Sequence, residues 1–106
     1  MTFKEITTML KEIELPFAYD HFAEGESPDP PFLVYLMPSA DNFAADGIAY
    51  FKINILHLEL YTDYKSPDLE EKIESVLTKY GLFYSKSEVW ISSEKLYEVL
   101  YQLETI

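Results

Sequence analysis

The sequence predicts an α+β domain in which two helices pack on a mainly antiparallel sheet. Three observations predict this class: two amphipathic segments that follow helix-start signals, several segments rich in β-branched and aromatic residues, and one unusually long strand-forming run. The predicted order is helix, two strands, the long strand, helix, two strands (α-β-β-β-α-β-β). A chain of 106 residues is long enough for one modest core, so we expect a single domain spanning residues 1–106.

The first predicted helix begins at a capping box formed by Thr2 and Glu5 and ends before Pro16. Its apolar residues recur at helical spacing: Phe3, Ile6, Met9, Leu10 and Ile13. The opposite face is charged or polar. We therefore expect this helix to cover an apolar surface.

Residues 17–22 (FAYDHF) and 32–37 (FLVYLM) are predicted strands that form the first hairpin. The segment between them combines three prolines with acidic residues, which is typical of a loop: Glu24, Glu26, Pro28, Asp29, Pro30 and Pro31. Pro38 is predicted to end the second strand, and residues 39–46 (SADNFAAD) to form a connection. Phe43, the one large apolar residue of this connection, either packs beneath it or serves as a contact point.

The run from about 47 to 64, GIAYFKINILHLELYTDY, is predicted to be a long central strand. Alternation places one apolar set on one side and a second set on the other: Phe51, Ile53 and Ile55, then Leu56, Leu58 and Leu60. The apolar face therefore changes sides near Ile55, where we expect a bulge or a change of packing partner. A straight strand with one continuous buried face would contradict this expectation.

The second predicted helix starts with Ser66 as its cap and Pro67 as its first residue, followed by acidic residues in the first turn. Its apolar stripe is Leu69, Ile73, Val76, Leu77 and Tyr80. Gly81 is suited to end the helix in a left-handed conformation. Residues 82–91 and 95–105 are predicted strands, although the second segment also has apolar residues at helical spacing.

Composition excludes several classes of function. The chain has 19 acidic and 8 basic residues and a formal charge of -11, which disfavours nucleic-acid binding and leaves a basic protein partner possible. It has no cysteine for disulfides or thiolate-bound metals. No signal peptide or run of about 20 apolar residues is present, so we expect a soluble protein without membrane contact.

No pattern of catalytic residues is apparent. His21 and His57 are isolated, no glycine-rich phosphate loop occurs, and the acidic clusters lack the spacing of a calcium loop. We therefore expect no enzyme activity, cofactor or metal. The 9 tyrosines and single tryptophan suggest instead that some aromatic residues pack between subunits, although Trp90 also suits a core strand.

The chain resembles small structural proteins encoded in the morphogenesis modules of phages and prophages of Gram-positive bacteria. The resemblance is carried by LPFAYDHF, PPFLVYL, DNFAADG and LELYTDYKSPDLEEKIE and covers nearly the whole chain. In size and element order the chain is similar to neck and tail-completion proteins of long-tailed phages. This resemblance implies a tail terminator: a ring of subunits, commonly six, that caps the tail tube and presents a surface for head joining.

The resemblance also implies a place in the virion tail or neck, with host cytoplasm as the site of assembly and tail-tube and neck proteins as partners. Two alternatives remain: another neck component, such as a connector adaptor or stopper, or a small acidic regulator that binds a basic protein. We expect the long strand and the last two strands to supply ring contacts and the acidic loops to face partners or the DNA channel. The candidate contact residues are Glu24, Glu26, Asp29, Phe43, Tyr61, Tyr64, Trp90 and Tyr101.

Overall fold

The structure is a computed structural model that describes the backbone of residues 1–45 and 48–105 and the side chains of residues 1–38 and 53–105. Its elements follow the predicted order, and the α+β class is confirmed. They are α1 (Phe3–Lys11), β1 (Phe17–Tyr19), β2 (Phe32–Ala45), β3 (Ile48–Thr62), α2 (Pro67–Lys79), β4 (Tyr84–Ile91) and β5 (Leu96–Thr105). The ambiguous last segment is a strand, as its period of two predicts.

The five strands lie in the order β1-β2-β3-β5-β4. All neighbouring strands are antiparallel except β1, which runs parallel to β2. The predicted hairpin of residues 17–22 with 32–37 is therefore wrong, because a parallel pair requires a crossover rather than a tight turn. Strand β1 ends after three residues, since Asp20 adopts a φ of 65° and turns the chain out of the extended conformation.

One face of the sheet and both helices form the hydrophobic core. Alternate residues of β2, β3 and β5 meet one stripe of each helix, as the two side-chain periods require. The buried members are Ile6, Met9, Leu10, Ile13, Leu33, Tyr35, Leu56, Leu58, Leu60, Ile73, Leu77, Val99, Tyr101 and Leu103. Phe3 is an exception to the predicted stripe: it is 56% exposed and packs edge-on against Tyr19, with ring centroids 5.8 Å apart.

Local hydrogen bonds hold the helix ends largely as predicted. The Glu5 backbone N–H donates to Thr2 Oγ1 and the Thr2 N–H to Glu5 Oε1, which completes the capping box. After α2, Gly81 adopts a φ of 72° and its N–H donates to the Thr78 carbonyl, while the Leu82 N–H reaches the Leu77 carbonyl. These two bonds form a Schellman motif. Ser66 occupies the cap position of α2, but its side chain makes no capping hydrogen bond.

Strand β2 continues through the residues predicted to form a connection. Its pairing with β3 runs to Leu36 opposite His57 and resumes at Ser39 opposite Ile55, so Met37 and Pro38 together face Leu56. This two-against-one arrangement is a β-bulge, where a proline is tolerated without breaking a regular ladder. The prediction that the strand ends at Pro38 is wrong for residues 39–45, and Asp46 lies outside the described residues.

The irregularity expected near Ile55 lies on the neighbouring strand. Strand β3 pairs regularly with β5 from Asn54 to Thr62, so it has no bulge of its own there. Leu56, Leu58 and Leu60 are buried in the core as predicted. Ile53 and Ile55 are half-buried on the opposite face of the sheet, and the side chain of Phe51 lies outside the described residues.

Strands β2 and β3 extend beyond the rest of the sheet as a two-stranded arm, formed by Asp41–Ala45 and Ile48–Ile53. Within the described residues, pairing between β3 and β5 begins only at Asn54. The longest dimension of the molecule, 50 Å, matches 15 residues of β3 at about 3.3 Å each. The radius of gyration of 15.0 Å exceeds the roughly 13 Å expected for a compact chain of this length.

Candidate interaction surfaces

A buried ion-pair network joins α2 to β4. The Glu70 carboxylate is 3% exposed and lies 2.7 Å from both Lys65 Nζ and Lys86 Nζ, and Lys86 also contacts Glu74 Oε2 at 2.8 Å. Burial raises the pKa of Glu70, but hydrogen bonds from Lys65 and Lys86 outweigh it and leave this pKa below its ordinary value. The same carboxylates raise the pKa of Lys86. The carboxylates of Glu70 and Glu74 and the ammonium groups of Lys65 and Lys86 therefore remain charged at neutral pH.

Tyr101 belongs to this network and not to the surface. Its hydroxyl donates to Glu74 Oε2 at 2.7 Å, and the Tyr84 hydroxyl donates to Glu74 Oε1 at 3.0 Å. Tyr101 has no exposed surface, because its position in β5 points toward the helices. It therefore cannot contact a second chain in this fold, and its place among the candidate contact residues is corrected.

The other aromatic candidates keep some exposed surface. Tyr64 is 64% exposed just after β3, and Trp90 is 45% exposed while packing on Tyr97 with ring centroids 4.7 Å apart. Tyr61 is half-buried on the face opposite the helices, stacked on Phe32 at 5.3 Å, and its hydroxyl donates to Glu59. Burial and then the Glu59 contact raise the pKa of Tyr61, which keeps its hydroxyl protonated. Among the aromatic candidates whose side chains are described, Tyr64 and Trp90 are thus the most available to a partner.

The acidic loop between β1 and β2 presents its carboxylates to solvent. Glu24, Glu26 and Asp29 are exposed, and none of them forms an ion pair among the described residues. The loop is anchored at Phe22, whose ring packs edge-on against Phe32 with centroids 5.4 Å apart. The structure thus places these three candidates together on one exposed segment.

Phe43 lies in the arm and not in a loop. The backbone register pairs it with Phe51, and its side chain lies outside the described residues. The next paired residues are Ala44 and Ala49, so Tyr50 is an extra residue in β3 near the tip of the arm. Phe43 therefore lies in a strand of the arm and not in a connection. Whether it packs against its own chain or contacts a partner depends on what surrounds the arm.

Strand β4 forms one edge of the sheet and presents an unprotected edge over eight residues. Its residues on the face opposite the helices carry no charge: Ser85, Ser87, Val89 and Ile91. Its two charged residues, Lys86 and Glu88, face the helices and are engaged in ion pairs with Glu70, Glu74 and Lys65. The strand contains no proline. Its charges are therefore confined to the helix side of the sheet, and neither a proline nor a register shift interrupts its edge.

The prediction of contacts from the last two strands included Trp90. It did not identify the free edge of β4. The local sequence does not encode the order of strands in a sheet, so it could not identify β4 as an edge strand. The available signal was the alternation of uncharged residues at 85, 87, 89 and 91 in a strongly acidic chain.

An open groove of about 810 Å³ lies where the start of α1, the end of α2 and the start of β4 meet. Its lining includes Tyr80, Leu82, Tyr84 and Gln102, and Phe83 stands beside it 92% exposed. The Tyr80 hydroxyl and Lys79 Nζ both donate to Glu12 near this end of α2. These contacts tie the end of α2 to the end of α1.

The histidines remain separate in space. His21 contacts the adjacent Asp20 at 3.0 Å on the surface, and His57 contacts Gln102 across β3 and β5 at 3.0 Å. In the part of the chain that the structure describes, no three histidine, aspartate or glutamate side chains are grouped as metal ligands.

Neither described helix has the length and hydropathy needed to cross a bilayer. No protein-family model matches this chain, and no curated protein matches it at a significant level.

Proposed function

We propose that this protein is a non-enzymatic structural subunit of a phage, which caps the tail tube as a ring and takes part in head-tail joining. The observation that carries the proposal is the arm, since a subunit that closes a ring needs surfaces that reach neighbouring copies. The arm extends beyond β5, and β4 presents an unprotected edge in the same chain. The resemblance of LPFAYDHF, PPFLVYL and the other segments to phage morphogenesis proteins supports the same function.

The charge of the chain suits a channel through which DNA passes. The formal charge is -11, and the acidic loop holds exposed carboxylates without ion-pair partners among the described residues. Like charges repel within about 8–10 Å at physiological ionic strength, so an acidic lining would keep the phosphate backbone from adhering. This role belongs to Glu24, Glu26 and Asp29 if their loop faces the channel.

Binding to tail tubes tests the proposal. Purified protein is mixed with tubes assembled from the tail-tube protein and imaged by negative-stain electron microscopy, with unassembled tail-tube protein as the control. We expect density at one end of each tube and arrest of further elongation. Bare tube ends and unchanged elongation would contradict the proposal. Binding to the head connector without binding to tubes would favour the adaptor or stopper instead.

The acidic loop has its own test in the triple variant Glu24→Gln, Glu26→Gln, Asp29→Asn. We expect the variant to fold normally, because all three side chains are exposed, and to deliver DNA less efficiently in an infection assay. The matched control is Glu71→Gln together with Asp68→Asn on the exposed side of α2. Normal tail joining and DNA delivery by the triple variant would show that the loop is unimportant.

A second candidate, an acidic regulator that binds a basic protein, is favoured by the same exposed carboxylates. It predicts a stable complex with a basic host protein and no complex with tail tubes. Affinity capture on each immobilised partner at matched ionic strength separates the two functions.

A further inference from the structure

We propose that the arm of one copy docks along the free edge of β4 in a second copy, which extends the five-stranded sheet across the subunit boundary. This interface deepens the proposed function and rests on its claim that copies of this chain assemble. It assigns different roles to two regions of the same chain: the arm, Asp41–Ala45 with Ile48–Ile53, inserts, and β4 receives.

The receiving side is the edge of β4. An edge strand presents a row of unpaired N–H and C=O groups that pair readily with an added strand. The eight residues of β4 are long enough for such a ladder. Lys86 and Glu88 cannot repel an incoming strand effectively, because the ion pairs with Glu70, Glu74 and Lys65 hold them on the helix side.

The remaining strand edges are poorer receivers. Strand β1 is only three residues long, so its outer edge offers a short ladder. The outer edge of β2 beyond β1 begins at the Met37–Pro38 bulge, and its regular part, Ser39–Phe43, belongs mostly to the arm. Among the described strands, this leaves the edge of β4 as the longest uninterrupted receiver and the two edges of the arm as inserting strands.

The inserting side is the β3 strand of the arm. From Ile48 to Leu58 the sequence contains no carboxylate and one lysine, Lys52, in a chain whose formal charge is -11. Docking this segment along the edge of β4 brings no carboxylate of the β3 strand against the partner, which avoids the repulsion that most other surfaces of two acidic copies would experience. The free edge of β3 in the arm spans Ile48–Ile53, six residues with one extra residue at Tyr50, so it is longer than β1, and its regular part, Phe51–Ile53, lies at the base of the arm.

The symmetry of this contact suits a ring. Because the arm and β4 are different surfaces of one chain, each copy can give its arm to one neighbour and receive the arm of another, and this heterologous contact repeats around an axis until it closes. A contact of β4 with β4 would be isologous instead and would stop at a dimer. A reciprocal exchange of arms between two copies would also stop at a dimer, so the ring requires each copy to pair with two different neighbours.

Cysteine cross-linking tests the interface cleanly, because the native chain has no cysteine. Single variants Lys52→Cys in the arm and Ser85→Cys, Ser87→Cys or Val89→Cys in β4 are mixed in pairs under mild oxidation, in solution and on tail tubes. A disulfide needs Cα atoms about 4.4–6.8 Å apart. We expect Lys52→Cys to cross-link with at least one β4 position. The control pair, Lys52→Cys with Glu71→Cys on α2, should not cross-link.

Two further variants test the same interface without cysteines. Val89→Lys adds a charge to the exposed face of the β4 edge, and we expect it to raise the concentration for half-assembly about tenfold. Replacing residues 41–53 by Asn-Gly joins Ala40 to Asn54 through a two-residue turn. We expect this armless variant to keep the circular-dichroism spectrum of a folded α+β protein and to lose assembly.

The outcomes separate the interface from the proposed function. Cross-linking of Ser87→Cys with itself but not with Lys52→Cys, or assembly by the armless variant, would overturn the arm-to-β4 interface. Cysteine variants that cap tubes but do not cross-link with Lys52→Cys at any of the three β4 positions would overturn the interface alone. Wild-type protein that neither assembles nor binds tubes would overturn both.

Discussion

At the scale of single residues, Glu70 shows how the fold uses charge. The sequence places it in the first turn of α2, where a carboxylate is favourable at a helix N-terminus. The fold adds a second role, because Glu70 is buried between Lys65 and Lys86. A buried charge is tolerated only when it is paired, so α2 and β4 depend on each other through this contact.

Lys86→Met tests that dependence. Removing Lys86 leaves Glu70 with one cation and Glu74 without its lysine, and we expect a loss of about 1–2 kcal/mol in unfolding free energy at pH 7, because Lys86 is itself partly exposed. Urea unfolding measures the loss. The matched control is Lys79→Met, which removes a surface pair with Glu12 and should change stability little. Equal stability of wild type and Lys86→Met would show that the network is not structural.

The same variant makes a prediction about pH. Burial raises the pKa values of Glu70 and Glu74, but hydrogen bonds from Lys65 and Lys86 to Glu70, and from Lys86, Tyr101 and Tyr84 to Glu74, outweigh it, so both values lie below the ordinary 4.5. Their stabilising contribution is therefore present above pH 4.5 and is lost as pH falls through the folded-state values. We expect the deficit of Lys86→Met to shrink over that window, as urea unfolding at a series of pH values would show. A stability deficit of Lys86→Met that stays constant as the pH falls would contradict this expectation.

Glu98 is expected to act in the opposite direction. Burial raises the pKa of this carboxyl, and the negative charges of Glu59 and Glu94 add to the effect. The ionised form is therefore disfavoured in the folded state, and Glu98→Gln should stabilise the protein at pH 7 by about 0.2–1 kcal/mol. The gain should disappear below the ordinary value of 4.5, where the unfolded chain is also protonated. Glu104→Gln, exposed on the same face of β5, is the control. Thermal unfolding at pH 7 and at a pH below 4.5 measures the difference in stability between each variant and the wild type.

At the scale of elements, β3 has two different faces over its second half. Leu56, Leu58 and Leu60 enter the core, whereas His57 and Glu59 lie half-buried on the opposite face. The bulge at Met37–Pro38 lets β2 continue alongside this strand, because the extra residue absorbs the break that a proline would otherwise cause. A single bulge thus joins the core part of the strand pair to the arm.

Alanine substitutions should report the two faces separately. Leu58→Ala removes a fully buried side chain and is expected to cost about 2–5 kcal/mol in unfolding free energy. His57→Ala, one residue away on the other face, should cost far less. Equilibrium denaturation measures both. Similar losses at the two positions would contradict the burial pattern of β3.

At the scale of the whole molecule, the charge of -11 acts on assembly as well as on solubility. Copies of an acidic chain repel one another at low ionic strength, and added salt screens this repulsion. A complex with a basic partner responds in the reverse way, because salt screens attraction. The sign of the salt dependence therefore distinguishes the two functions proposed for this chain.

We expect self-assembly to strengthen between about 20 and 300 mM NaCl, over which the screening length falls from roughly 20 Å to about 6 Å. Light scattering from the free chain, or from the protein bound at tube ends, measures the extent of self-assembly at each salt concentration. Assembly that weakens over this range would contradict an interface formed by the uncharged edges of the arm and β4.

The sequence predicted the features that depend on neighbouring residues. The capping box at Thr2 and the left-handed Gly81 follow from the chemistry of a few adjacent groups, and the element order follows from hydrophobic period. The candidate contact residues depend on more than local pattern, and Tyr101 is buried rather than exposed. Whether an aromatic strand residue such as Tyr101 or Trp90 is exposed depends on which face the helices cover, and on which strand lies at the edge.

The sequence alone therefore determined the class, the two helices, the long central strand and the strongly acidic surface, since composition and local pattern suffice for each. Tertiary structure alone decided that β1 pairs in parallel with β2, that Pro38 lies in a bulge and that Glu70 is buried. It also decided that β4 is an edge and that the arm extends beyond β5. The physical reason is that strand partners and covered faces are set by contacts between residues far apart in the chain, which no local pattern encodes.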